Sequence, residues 1–159
     1  MGKEASTSSV ISAKIETWPK VAIIVLNWNG WQDTIECLES LQQITYPNFY
    51  VVIVDNASTD ASVEKIQAWV KENGLPLAEY RLESREMQPV PILEEKPLVE
   101  GLRRVELIAS KINLGFCAGN NVGMEFAHRA DADYFLILNN DTLVESTFLQ
   151  PLVEAAESS

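Results

Sequence analysis

Four apolar runs, each cut off by small polar residues, constrain this chain more than any other feature. Residues 21–26 run into Asn27-Trp28-Asn29, and residues 50–54 into Asp55-Asn56. Residues 105–109 lead to Asn113, and residues 134–138 stop on Asn139-Asn140-Asp141. Continuous apolar runs of this length suit strands buried on both faces of a parallel sheet. In such a sheet the carboxyl ends of the strands share one edge, and ligands bind along it. The four polar ends therefore predict one pocket lined with carbonyls, amides and carboxylates, suited to a hard metal ion.

The segments between the runs supply the crossovers. Asp33 with Glu36 three residues on reads as a capping box, followed by an apolar stripe of Ile35, Leu38 and Leu41. Asp60 reads as the cap of a second helix burying Val63, Ile66 and Val70, with Asn73-Gly74 as its stop signal. Residues 75–104 hold four prolines and six glutamates. They predict an irregular surface insertion, with a short strand near residues 80–82. A third helix is expected over about 120–130, and a last one over 148–156 if it begins just before Pro151. The order β-α-β-α-insertion-β-α-β predicts a doubly wound, mostly parallel α/β sheet. Residues 1–18 are Ser-rich and predict a flexible leader, leaving 19–159 as one domain.

Charge and rare residues narrow the chemistry. A net charge of −11 over 159 residues leaves no basic stripe for nucleic acid. A phosphate-bearing ligand then needs a counter-charge, and with no Lys/Arg cluster at the strand ends a metal is the natural one. Two cysteines, Cys37 and Cys117, support neither a disulfide framework nor a Cys-rich zinc site. The single histidine, His128, rules out His-rich metal sites and is expected to be exposed. No apolar run approaches the roughly 18–20 residues of a membrane span.

Each strand end admits a functional and a structural reading. Asn140 and Asp141 can hold Mg2+ or Mn2+ if the ligand supplies further oxygens, or can form an Asx turn. Asp55 can accept a base N–H or a ribose hydroxyl, or close a satisfied turn. Trp28, beside Asn27 at the mouth of the first strand, can stack on a base or pack. The run from Asn113 through Gly115 to Asn120 and Asn121 leads into a helix. Its glycines let backbone approach a ligand, and first-turn N–H groups favour anions or ribose oxygens. Gly115, Gly119 and Gly123 do not have dinucleotide-binding spacing, and Phe116 and Cys117 read as core.

Taken together, VAIIVLNWNG, VVIVDNASTD, NLGFCAGNNVG and YFLILNNDT resemble the N-terminal half of a family-two glycosyltransferase of the rhamnosyltransferase-like kind. The four blocks stand in that family's order over about residues 21–143. The resemblance implies a glycosyltransferase-A-type fold holding a UDP-, dTDP- or GDP-linked sugar with Mg2+ or Mn2+. It places Trp28 and Asp55 at the base, Asn113 beside the nucleotide, and Asn140-Asp141 on the Asp-x-Asp-type motif, with Asp141 as metal ligand. It also implies inverting transfer to a glycan or lipid-linked acceptor, in the cytoplasm or at the inner membrane face. Two departures bear on the chemistry: Asn140 stands where many members carry an acid, and Ala118 where glycine is frequent. The family's acceptor half and general base come later, so no residue up to Ser159 is expected to act as base. A truncated domain, a non-catalytic nucleotide-binding remnant or one part of a split or oligomeric transferase is the corresponding expectation. A response-regulator-like domain would need an acidic pair where Asn27-Trp28-Asn29 stands. A haloacid-dehalogenase-type phosphatase would need an aspartate nucleophile in place of Asn139.

Overall fold

The structure, a computed structural model, describes residues 18–86, 89–91 and 101–159. The leader expected over 1–18, apart from Trp18, and much of the expected insertion lie outside the described residues.

Five strands form one sheet in the order β3-β4-β2-β1-β5, and every pairing is parallel. They are β1 (Val21–Asn27), β2 (Phe49–Asp55), β3 (Leu77–Leu82), β4 (Val105–Ser110) and β5 (Tyr134–Asn139). The helices are α1 (Trp31–Gln42), α2 (Ser62–Glu72), α3 (Gly115–Arg129) and α4 (Leu149–Glu157). Strands β1 and β2 are central and covered on both faces, which is why their sequences are apolar without alternation. Side chains of Val21, Ile23 and Val25 meet α1, α2 and α4 on one face, among them Leu38, Ile66 and Leu149. Ala22 and Ile24 meet α3 on the other face, through Val122 and Phe126. Among the described residues β5 pairs only with β1, and Phe135 and Ile137 on its α3 side are exposed.

Four expectations need correction. The segment after residue 75 is not wholly irregular, because Leu77–Leu82 adds a fifth strand that is longer than the one expected near residues 80–82. The carbonyl of Pro76 takes the amide of Val105, which starts the pairing of β3 with β4. Asp33 does not cap α1. The helix starts at Trp31 after Gly30, and Thr34 N donates to Gly30 O. Asp33 sits instead in the first turn, where a carboxylate still favours the positive end of the helix. Asp60 holds its role from one position further out, since its Oδ1 accepts the Ser62 amide while Ala61 occupies the cap position. Helix α3 begins at Gly115 rather than near Asn120, with Gly115 at φ +81°. That early start puts Phe116 and Cys117 in an exposed first turn, not in the core.

The stop at Asn73-Gly74 holds, with Gly74 at φ +66°. Pro151 falls in the first turn of α4, where no intrahelical N–H is required of it. His128 is exposed, as expected. No helix among the described residues is long and apolar enough to cross a membrane.

Candidate nucleotide-binding site

The carboxyl ends of β1, β2 and β5 are joined by a chain of buried polar side chains. Asn27 is fully buried and sits at its centre. Its Nδ2 donates to Asp55 Oδ1 at 2.8 Å and to Ser58 Oγ at 3.3 Å, and its Oδ1 accepts from Thr34 Oγ1 at 2.7 Å. Thr34 Oγ1 in turn accepts from Asn140 Nδ2 at 3.2 Å. Asp55 Oδ1 also takes the Ser58 hydroxyl at 2.6 Å, and Oδ2 takes the Ser58 amide at 3.0 Å. Asp55 is 2% exposed. Three donors compensate its charge, as burial demands.

The turns above this chain are laced together. Asn29, at φ +49°, gives its amide to Ser58 Oγ and accepts the amides of Thr59 and Asp60 on its Oδ1. Asn56 reaches the other way. Its Oδ1 takes the Leu114 amide at 2.7 Å and its Nδ2 donates to Gly115 O at 3.2 Å, fixing the start of α3. Asn113 Oδ1 accepts the Gly115 amide at 2.9 Å. The sequence signals Asn29 and Asn56 only as members of polar runs. Their bridging roles depend on which turns the parallel order makes neighbours.

On this base lies a cleft of about 280 Å³ lined by Leu26, Trp28, Phe116, Asn120, Leu138, Asn139, Asn140 and Asp141. Trp28 is 57% and Phe116 61% exposed, so two aromatic rings stand at the rim. Asn120 is buried on α3, while Asp141 is exposed beyond β5. Of the residues predicted from sequence, Trp28, Asn120, Asn140 and Asp141 line the cleft. Asn27 and Asp55 lie beneath it, and Asn113 and Gly115 shape the turn behind Phe116. Phe116 is the residue that sequence reasoning missed; only the early start of α3 turns it outward.

Gly119 and Gly123 of α3 serve packing more than ligand approach. A Cβ on Gly119 would lie 2.6 Å from Leu26 Cδ1, and one on Gly123 2.5 Å from Ile24 Cγ2. Their absence lets α3 sit close on β1, bringing Asn120 to the cleft.

Among the described residues, no group of three or more His, Cys, Asp or Glu converges as a metal cage. No described lining residue is basic. The oxygen donors at the end of β5 are the Asp141 carboxylate and the amide carbonyls of Asn139 and Asn140. Asn140 spends its Nδ2 inward, on Thr34 and Gly30 O.

Below the rim, burial and then the Asp141 charge raise the Cys37 thiol to about 11. The unfolded thiol ionises near 8.5. Stability from this group is therefore complete below that pH and lost as pH rises toward 11. Burial also pushes Tyr46 and Tyr50 up, extending the loss to higher pH. Urea midpoints should fall from pH 8.5 to 11, and less steeply in Cys37→Ala; a flat profile contradicts this.

The fold has recognisable relatives. The family model described as Glycosyl transferase family 2 matches residues 22–88, from β1 past β3. An uncharacterised glycosyltransferase of Haemophilus influenzae is 21% identical over 145 residues, covering 91% of this chain and 35% of that one. Staphylococcus aureus TarS 1-349 in complex with UDP superposes with a TM-score of 0.60 at 18% identity, over 87% of this chain and 32% of that one. Mannosyltransferase PcManGT from Pyrobaculum calidifontis, in complex with GDP-Man and Mn2+, gives 0.57 at 19% identity, over 81% and 29%. The chain thus spans about a third of the length of these relatives. The fold is the glycosyltransferase-A type.

Proposed function

We propose that the cleft binds a nucleoside-diphosphate sugar together with Mg2+ or Mn2+, as the donor-binding part of a family-two, inverting glycosyltransferase. The observation that carries this is the pairing, in one cleft, of an exposed indole with a lone carboxylate. Trp28 offers a stacking face worth roughly 1–3 kcal/mol to a base. Asp55 Oδ2, with one donor from Ser58, keeps a lone pair for a base N–H. Asn113 and Gly115 hold the turn that flanks the nucleotide.

The donor set fits a hard cation, since Mg2+ is commonly held by one or two carboxylates plus substrate phosphates. Asp141 would hold it, with Asn140 supplying a carbonyl oxygen. When bound, the ion neutralises charge growing on the departing diphosphate. The acidic chain offers no basic side chain in the cleft for that task among its described residues. Transfer further needs a base to deprotonate the acceptor hydroxyl, a role that no residue of the cleft is assigned. Rhamnosyl-type transfer is the finer reading supported by the four sequence blocks.

A second reading, a donor module completed by another polypeptide, is favoured by the exposed Phe135 and Ile137 on the α3 face of β5. It predicts nucleotide binding without turnover until the partner is supplied. Calorimetric titration with UDP, GDP and dTDP tests the common core of both readings. At least one nucleotide should bind with Mn2+ and bind at least tenfold more weakly without it. Asp141→Asn should remove the manganese dependence. Equal binding with and without the ion would overturn the proposal.

A further inference from the structure

Among the described residues lining the cleft, one buried side-chain atom has no hydrogen-bond partner. Asn120 is 3% exposed, and its Nδ2 donates to the Phe116 carbonyl at 3.1 Å. Its Oδ1 is buried and has no hydrogen-bond partner among the described residues. Turning the amide over would set Oδ1 against that carbonyl oxygen, two acceptors face to face. The atom offered to a ligand is therefore an acceptor, and the ligand must bring a donor. Buried acceptors are seldom left unpaired without a reason of this kind.

Its place in the cleft says which part of a nucleotide that donor belongs to. Gly119, the preceding residue, lies against Leu26, and Leu26 is paired with Asn139 across β1 and β5. Asn120 therefore faces the β1 and β5 ends and lines one cleft with Trp28 and Asp141. With the base on Trp28 and the diphosphate toward Asp141, the part between them is the sugar ring of the nucleoside. Diphosphate oxygens bring no proton at neutral pH, whereas ribose hydroxyls do.

We infer that Asn120 Oδ1 accepts a hydrogen bond from a ribose hydroxyl, so that the cleft selects ribonucleoside over deoxyribonucleoside diphosphates. This rests on the donor-binding reading above. It makes Asn120 a specificity residue and sets UDP- or GDP-linked donors ahead of dTDP-linked ones.

The test is a calorimetric series with Mn2+, using UDP and GDP and their 2′-deoxy and 3′-deoxy forms, on the unmodified chain and on Asn120→Ala. Loss of one hydrogen bond to a buried acceptor corresponds to about a tenfold change or more. The unmodified chain should bind the ribonucleotide at least tenfold more tightly than its 2′-deoxy form. Asn120→Ala should erase that gap by weakening the ribonucleotide alone, with its circular dichroism unchanged. Equal binding of the ribonucleotide and its 2′-deoxy form, a gap confined to the 3′-deoxy form, or a gap that survives Asn120→Ala, overturns the inference and leaves the donor-binding reading standing. A loss of Mn2+ affinity in Asn120→Ala without nucleotide also overturns it, by making Oδ1 a metal ligand. Failure of every nucleotide to bind the unmodified chain overturns both.

Discussion

Asn27→Leu will destabilise the fold by about 3–5 kcal/mol, a large share of the roughly 5–15 kcal/mol that holds a domain of this size. Leucine fills similar space but answers none of the groups that Asn27 serves. The Thr34 hydroxyl, itself fully buried, loses its acceptor at 2.7 Å. The Asp55 carboxylate loses its donor at 2.8 Å. The Thr34 proton left without an acceptor costs about 1–3 kcal/mol, and the charged Asp55, reduced to its two donors from Ser58, about as much again. Thr34→Val alone should cost less, because Asn140 keeps its bond to Gly30 O. The double variant should cost less than the two single losses added, since it removes both ends of one bond. Urea denaturation of the four proteins measures all of this. A loss under about 1 kcal/mol for Asn27→Leu, or strict additivity, would mean that the buried chain of polar groups does not hold the rim.

Gly123→Ala will also destabilise, although alanine is about 1 kcal/mol better than glycine inside a helix. The new methyl would sit 2.5 Å from Ile24 Cγ2 and 3.3 Å from Val54 Cγ2. Both partners are fully buried on central strands. Their β-branched side chains have little freedom at χ1, so the helix itself must lift. Overpacking of this kind costs about 1–3 kcal/mol, and Gly123→Val should exceed that range. Gly119→Ala is the informative contrast. Its methyl would meet the tip of Leu26, which is only partly buried and can turn aside. Thermal melts should rank the variants Gly123→Val, Gly123→Ala, Gly119→Ala, from largest loss to least. Equal losses for the two alanine variants would contradict close seating of α3 on Ile24.

The same residues show what a sequence discloses and what it withholds. The runs that became β1 and β2 were legible because central parallel strands bury both faces, leaving an unbroken apolar signature. Their polar ends were legible for the complementary reason: a buried strand does not stop on Asn or Asp without a partner or a ligand. Strand β3 was obscured by its place at the sheet edge, where half-exposed Ala78 and exposed Glu79 and Arg81 dilute the pattern. The first turn of α3 was hidden because a glycine in the left-handed region opens it, and Asn56 from the turn after β2 pins it. That pin decides the outward stance of Phe116 and the burial of Asn120, so the cleft's second aromatic side was not readable from local spacing. Asp33 misled in a simpler way: a carboxylate in a first turn and one at a cap differ by only a few positions.

The central claim is that Asp141 and Trp28 serve one ligand through a cation at the carboxyl edge of the sheet. Amide resonances of the 15N-labelled chain, followed as Mn2+ is added with saturating UDP or GDP, test it most directly. Signals of residues 139–142 and the indole N–H of Trp28 should broaden first and vanish. Those of Asn48, His128 and Asp133, at or near the opposite edge, should persist, and Asp141→Asn should abolish the pattern. Uniform broadening, or loss centred on the acidic residues of α4, would contradict the claim.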